Sequence, residues 1–175
     1  MSPLLVRPAT IQDATVIAEF QVAMALETEN KILDPAIVHR AVEKVFADSS
    51  KGFYLVVQSV ADDLSNDAAL VPTPAIDSDQ ATDQATGVVA SLLVTYEWSD
   101  WRDSNMWYIQ SVFVRQAFRR QGCFRKMYAQ VIEMAQQQAV MFVRLYVETD
   151  NVAAQGVYQS IGMKRLPYFM YQADL

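Results

Sequence analysis

The chain has 175 residues, 52% hydrophobic and 19% charged, with 14 Lys+Arg against 20 Asp+Glu, one His and one Cys. That length suits a single domain over 1–175 with a substantial core, and the apolar share excludes a wholly disordered chain. A lone cysteine forms no internal disulfide, the single His and Cys leave no metal site to expect, and no stretch approaches the roughly 20 apolar residues that span a bilayer. The first residues, Met1 to Pro8, lack a charged leader followed by an apolar run, so a cytoplasmic protein without a membrane partner is expected.

The net charge of −6 has one source. Residues 61–86 carry six Asp and no Lys or Arg, and removing them leaves 14 acids against 14 bases. Rich in Ala, Ser, Thr, Gln and Pro, that segment reads as a mobile acidic hairpin insertion. Elsewhere Arg115, Arg119, Arg120, Arg125 and Lys126 fall within twelve residues that contain no acid, a local anion-binding candidate.

In chain order, Leu4 to Arg7 ends at Pro8 and reads as an edge strand. Thr10 with Asp13 signals a helix start, and Ile11, Ala14, Ile17, Ala18 and Val22 repeat at helical spacing to about Leu26. Asp34-Pro35 opens a second helix with an apolar stripe through Ile37, Val38, Ala41, Val42, Val45 and Phe46. Phe53–Val60 and Gly87–Trp98 read as strands flanking the acidic insertion. Trp107 to Val114 is the next strand; strict alternation puts Tyr108, Gln110, Val112 and Val114 on one face and Trp107, Ile109, Ser111 and Phe113 on the other. A helix over Phe124–Gln138, a strand over Met141–Val147, a helix from Asp150 or Asn151 to about Ser160, and a last strand over Tyr168–Tyr171 complete the chain. The order β-α-α-β-β-β-α-β-α-β is mixed α/β.

The chemistry concentrates where the Trp107–Val114 strand passes through an Arg-rich turn into a helix. A helix start presents backbone amides and a partial positive charge that together bind phosphate. Gly122 lets backbone approach a ligand without a Cβ, and Arg119 and Arg120 are suited to pair with phosphates. A phosphorylated ligand is one reading of this turn, and a basic helix start on a solvated face is the other. No Walker string is present, and the single Gly122 excludes a dinucleotide fingerprint.

Val112-x-Val114 followed by Arg119-x-x-Gly122 resembles motif A of the GNAT superfamily of N-acetyltransferases, whose turn reads Gln/Arg-x-x-Gly-x-Gly/Ala. The run Asn151-x-x-Ala154-x-x-x-Tyr158-x-x-x-Gly162-Met163 is similar to the family's Asn-x-x-Ala-x-x-x-Tyr-x-x-x-Gly-Phe signature. Two positions depart: Phe124 stands where the family has Gly or Ala, and Arg120 where it often has Gly.

The resemblance implies a GNAT-like central mixed sheet splayed at a cofactor notch between the strands at 107–114 and 141–148. It implies acetyl-CoA, with CoA as product. The arm would lie along Val112, Phe113 and Val114. The diphosphate would sit on the turn Arg119, Arg120, Gln121, Gly122, Cys123, Phe124 and Arg125. Asn151, Ala154 and Tyr158 would approach from the other side, with Tyr158 the general acid for the leaving thiolate. A deprotonated amine needs a base, and Glu97 and Glu29 are the leading carboxylates. Glu27, Trp98, Trp101 and Gln110 are candidates for acceptor binding, the loop over Glu97–Arg102 being dense in aromatics and charge. Cys123 reads as a small hydrophobe.

The expected activity is therefore transfer of an acetyl group to a primary amine, of a small molecule, by direct transfer in a ternary complex. A protein N-terminal or lysine acetyltransferase is the alternative, and a non-catalytic acyl-CoA-binding sensor is the alternative of another class. The basic cluster is confined to one turn, so no nucleic acid is expected. The resemblance is also compatible with a homodimer.

Overall fold

A computed structural model describes residues 3–60 and 87–173; the segment 61–86, expected as a mobile insertion, lies outside the described residues. The chain divides into two units, residues 1–145 and 146–175.

In the first unit, β1 (Leu4–Pro8), β2 (Phe53–Ser59), β3 (Val88–Ser99), β4 (Ser104–Val114) and β5 (Val143–Leu145) form one sheet in that spatial order. The first four are antiparallel to their neighbours and β5 runs parallel to β4. Pro8 ends β1 on the sheet's edge, where a strand tolerates proline. Helices α1 (Ala14–Glu29) and α2 (Pro35–Ala47) follow β1, and α3 (Cys123–Gln137) links β4 to β5.

Helix α2 starts where a side chain meets its open amides. The Asp34 carboxylate accepts from the Ala36 N–H at 2.8 Å, with Pro35 in the first turn of α2. Such a cap contributes about 1 kcal/mol. Ahead of α1, Asp13 closes a single 3₁₀ turn and accepts from the Thr10 N–H at 2.8 Å and from both Arg7 terminal nitrogens at 2.8 and 2.9 Å. Burial alone would raise the Asp13 pKa, but the Arg7 and Thr10 hydrogen bonds outweigh it and hold it below the usual range. This stabilisation is therefore present above the unfolded carboxylate pKa of about 3.9 and is lost as pH falls through the folded value.

Two apolar layers cover the sheet. On one face, Ile17 and Phe20 of α1 and Val42 of α2 pack on Tyr54, Val56 and Val88. On the other, Cys123, Met127, Val131 and Ala135 of α3 pack on Leu55, Leu92, Val94, Trp107 and Ile109. The four α3 residues recur at spacings of four, the buried stripe of an amphipathic helix.

The alternation expected along β4 fails at Gln110. Ile109 pairs with Val94 and Ser111 with Leu93, so Gln110 is an extra residue, a β-bulge. One extra residue inverts the faces beyond it. Val112 and Val114 consequently join Trp107 and Ile109 on the α3 face, while Phe113 packs with α1. The expected grouping of Ser111 and Phe113 with Trp107 and Ile109 is thus corrected.

Two strand expectations are corrected as well. β5 spans three residues and not Met141–Val147, because its ladder with β4 runs only from Trp107↔Val143 to Ile109↔Leu145 and stops where the bulge bends β4. In the second unit, α4 (Val152–Ser160) is capped by Asn151, whose side-chain oxygen accepts from the Ala154 N–H at 3.0 Å, and Gly162 at φ +89° follows its end. Tyr168–Tyr171 forms no strand; these side chains are exposed, and β-propensity without a pairing partner does not make a strand.

Candidate cofactor and active site

Beyond the bulge, the backbone of β4 presents one edge to β3 and the other past the end of the β5 ladder. The Arg115 N–H donates to the Val89 carbonyl at 2.9 Å. In an antiparallel pair the bonded residues recur every second position, so the N–H and C=O groups of Val112 and Val114 point away from β3. They face the side where β5 has stopped.

After β4 the chain makes a 3₁₀ turn over Gln116–Phe118 and then a tight turn into α3. Arg120 and Gly122 both have positive φ, +62° and +84°. Glycine adopts this region freely, whereas for Arg120 it costs on the order of 1 kcal/mol. A Cβ built on Gly122 would meet nothing within 4 Å, so the space beside the turn is open. The first helical bond of α3 runs from the Lys126 N–H to the Gly122 carbonyl at 3.0 Å. Gly122, lacking a side chain, gives the amides of Cys123, Phe124 and Arg125 no side-chain cap. They sit at the positive end of the helix dipole, the arrangement that receives phosphate.

Arg119 and Glu27, expected to serve cofactor and acceptor separately, meet each other. The Arg119 terminal nitrogens donate to the two Glu27 oxygens at 2.5 and 2.6 Å, its Nε–H donates to the Val114 carbonyl at 2.9 Å, and its amide to the Gln116 carbonyl at 3.2 Å. The Arg119 hydrogen bond holds the Glu27 carboxyl below its usual range and in turn raises the guanidinium. The Gln121 side chain is tied to the Ala117 carbonyl at 2.8 Å.

Helix α1 braces the same stretch of β4. The Gln21 side-chain amide donates to the Ser111 hydroxyl at 3.0 Å, Phe20 stacks on Phe113 with centroids 4.8 Å apart, and the Arg115 guanidinium lies 4.8 Å over Phe20. None of these pairs has a signature in the sequence, because their partners are some 90 residues apart. Cys123 is buried in the core, where burial pushes its thiol pKa up despite Lys126, and its S–H points to the Phe118 carbonyl at 3.5 Å. Phe124, the departure from the family pattern, packs toward the α3 core with its ring 5.9 Å from Tyr128, so its bulk is directed away from the turn.

The acceptor candidates are scattered. Glu29 pairs with Lys31 on the surface. Glu97 is exposed near the end of β3, opposite Met106 and four residues short of Gln110, about 13 Å along the strand. Trp98 and Trp101 are 61% and 87% exposed, and Gln110 is exposed at the bulge. A pocket of about 280 Å³ at the far end of α3, lined by Tyr96, Ser104, Asn105, Trp107 and Gln138–Val140, includes none of the expected site residues. In the second unit, Asn151 and Ala154 are joined by the α4 cap, and Tyr158 is half-buried with its phenol pKa pushed up by burial.

Residues 41–163 match the acetyltransferase (GNAT) family. The chain belongs to the GNAT family. A solved structure of a possible acetyltransferase from Clostridium difficile 630 is 31% identical over 98% of this chain and 97% of its own, with a TM-score of 0.78. An aminoglycoside N-acetyltransferase in complex with CoA has 10% identity, covering 99% of this chain and 96% of its own, with a TM-score of 0.70. A ribosomal-protein-alanine N-acetyltransferase from Brucella melitensis biovar Abortus 2308 has 10% identity, covering 99% of this chain and all of its own, at 0.67. These last two share its fold. No curated protein matches the chain. This GNAT protein is an N-acetyltransferase that uses acetyl-CoA. The open space beside Gly122, the start of α3 at a glycine and the outward-facing β4 backbone all fit that cofactor. Among the described residues no helix is long and apolar enough to cross a membrane.

Proposed function

We propose that residues 1–175 act as one acetyltransferase domain that acetylates a primary amine of a small molecule by direct transfer in a ternary complex, in the cytoplasm. The observation that carries this reading is the juxtaposition of an outward-facing β4 edge with a helix start that has no side-chain cap. Acetyl-CoA supplies the acetyl group as a thioester whose carbonyl carbon accepts the amine nitrogen while the C–S bond breaks.

The chain's own residues bind, orient and move protons. Backbone groups of Val112 and Val114 hold the pantetheine arm as a further strand would, flanking Phe113. Amides from Gln121 through Cys123, Phe124 and Arg125, with the charges of Arg120 and Arg125, hold the diphosphate. Asn151 and Ala154 contribute through the start of α4. Tyr158 donates its proton to the leaving thiolate; a phenol is protonated at neutral pH, and burial raises its pKa further. Glu97 or Glu29 takes the proton of the incoming ammonium, directly or through water, and Gln110, Trp98 and Trp101 orient the acceptor.

Two measurements test this. Calorimetry with CoA is expected to give a one-to-one isotherm. A panel of small amines and peptides, followed by thiol release and mass spectrometry, is expected to turn over on a small amine, with Tyr158→Phe lowering kcat by about 10² or more at unchanged CoA affinity. Turnover of peptides alone would replace the small-molecule acceptor by a protein. Full activity of Tyr158→Phe would remove that residue from the proton path.

A further inference from the structure

We infer that Glu27 is a positioning residue for the diphosphate-binding turn, acting through Arg119 and not through the acceptor amine. The inference rests on the reading of that turn as the CoA site. Both Glu27 oxygens face the Arg119 fork at 2.5 and 2.6 Å, a bidentate geometry that fixes the plane of the guanidinium as well as its position. That plane is what aims Nε–H at the Val114 carbonyl, 2.9 Å away. The Arg119 amide closes on Gln116 in the same turn. One side chain therefore ties the end of α1, the last residue of β4 and the turn leading to Gly122.

The next residue explains why such a tie is needed. Arg120 is held at φ +62°, a conformation that a residue with a Cβ keeps only when its surroundings impose it. With Arg119 anchored on both sides, the chain has little freedom to relax Arg120 toward negative φ, and the amides that follow stay aimed into the open space beside Gly122. Glu27 thereby has no oxygen turned to an incoming amine. Three of the five Arg119 N–H groups are engaged within the protein, so recognition of phosphate charge falls to the backbone amides and to Arg120 and Arg125.

The test is CoA binding by calorimetry in the absence of any acceptor, for wild type, Glu27→Gln, Glu27→Asp, Arg119→Lys and the double variant Glu27→Gln/Arg119→Lys, each with a thermal melt. Glu27→Gln is expected to weaken CoA binding about fivefold to tenfold, roughly the loss of a charge-assisted bidentate pair. Its melting temperature should stay at the wild-type value, since the pair is on the surface. Glu27→Asp should recover part of the affinity, and the double variant should be no weaker than the worse single one, because both remove the same tie. Unchanged CoA affinity in Glu27→Gln beside normal wild-type binding would overturn the inference alone. Additive losses in the double variant would also overturn it. Absence of CoA binding by wild type would instead overturn the reading of the turn, and this inference with it.

Discussion

Ser104–Ile109 and Ser111–Val114 are consecutive halves of one strand, yet they are held in different ways. The first half pairs with β3 and, from Trp107 onward, with β5, and its largest side chain is buried against Phe53 and Tyr96 with ring centroids 5.1 and 6.1 Å away. The second half pairs with β3, is braced by Gln21 and Phe20 of α1, and turns the backbone of Val112 and Val114 outward. Gln110 separates them. A single inserted residue thus separates a core strand from a stretch that turns backbone groups outward and is braced by side-chain contacts from α1.

Deleting Gln110 is the severest way to break this contrast. Without the extra residue β3 and β4 pair without interruption and Trp107, Ile109, Val112 and Val114 still share one face, but the kink that separates the two halves of β4 is lost. The variant is expected to stay folded by circular dichroism and to lose CoA affinity by about 10²-fold in calorimetry; unchanged affinity would show that the bulge separates nothing. Trp107→Ala comes next, and is expected to cost about 3–5 kcal/mol in urea unfolding while CoA affinity at low temperature stays near wild type. A large loss of affinity without a loss of stability would reverse the roles assigned to the two halves. Gly122→Ala has room for its methyl group but places a Cβ at φ +84°, so it should cost about 1 kcal/mol in stability and weaken CoA binding several-fold. Ser111→Ala is the mildest change, expected to cost about 1 kcal/mol by leaving the Gln21 amide without its partner, again measured by urea unfolding.

Much of the cofactor side was legible in the residues because its signals are local. Asp34-Pro35 starts α2, Asn151 caps α4, and Gly122 stands with positive φ at the turn into α3. Arg120 carried a local signal too, since a position where the family often has Gly is a position with positive φ. The bulge carried none: Gln110 reads as an ordinary polar residue in an alternating strand, and only the register against Leu93 and Val94 reveals the extra residue. The last strand was misread for the opposite reason, because Tyr168–Tyr171 has the propensity without the partner.

By itself the sequence determined the element order as far as the last helix, the two helix caps, the glycine at the turn into α3 and, through two spaced motifs, the family. These depend on backbone conformations and hydrogen bonds within a few residues, which side-chain type dictates directly. Tertiary structure alone decided which face Val112 and Val114 occupy, that β5 stops at Leu145, and that Glu27 pairs with Arg119. Those outcomes depend on register and on contacts across some 90 residues, where many pairings satisfy the same local preferences and packing selects among them.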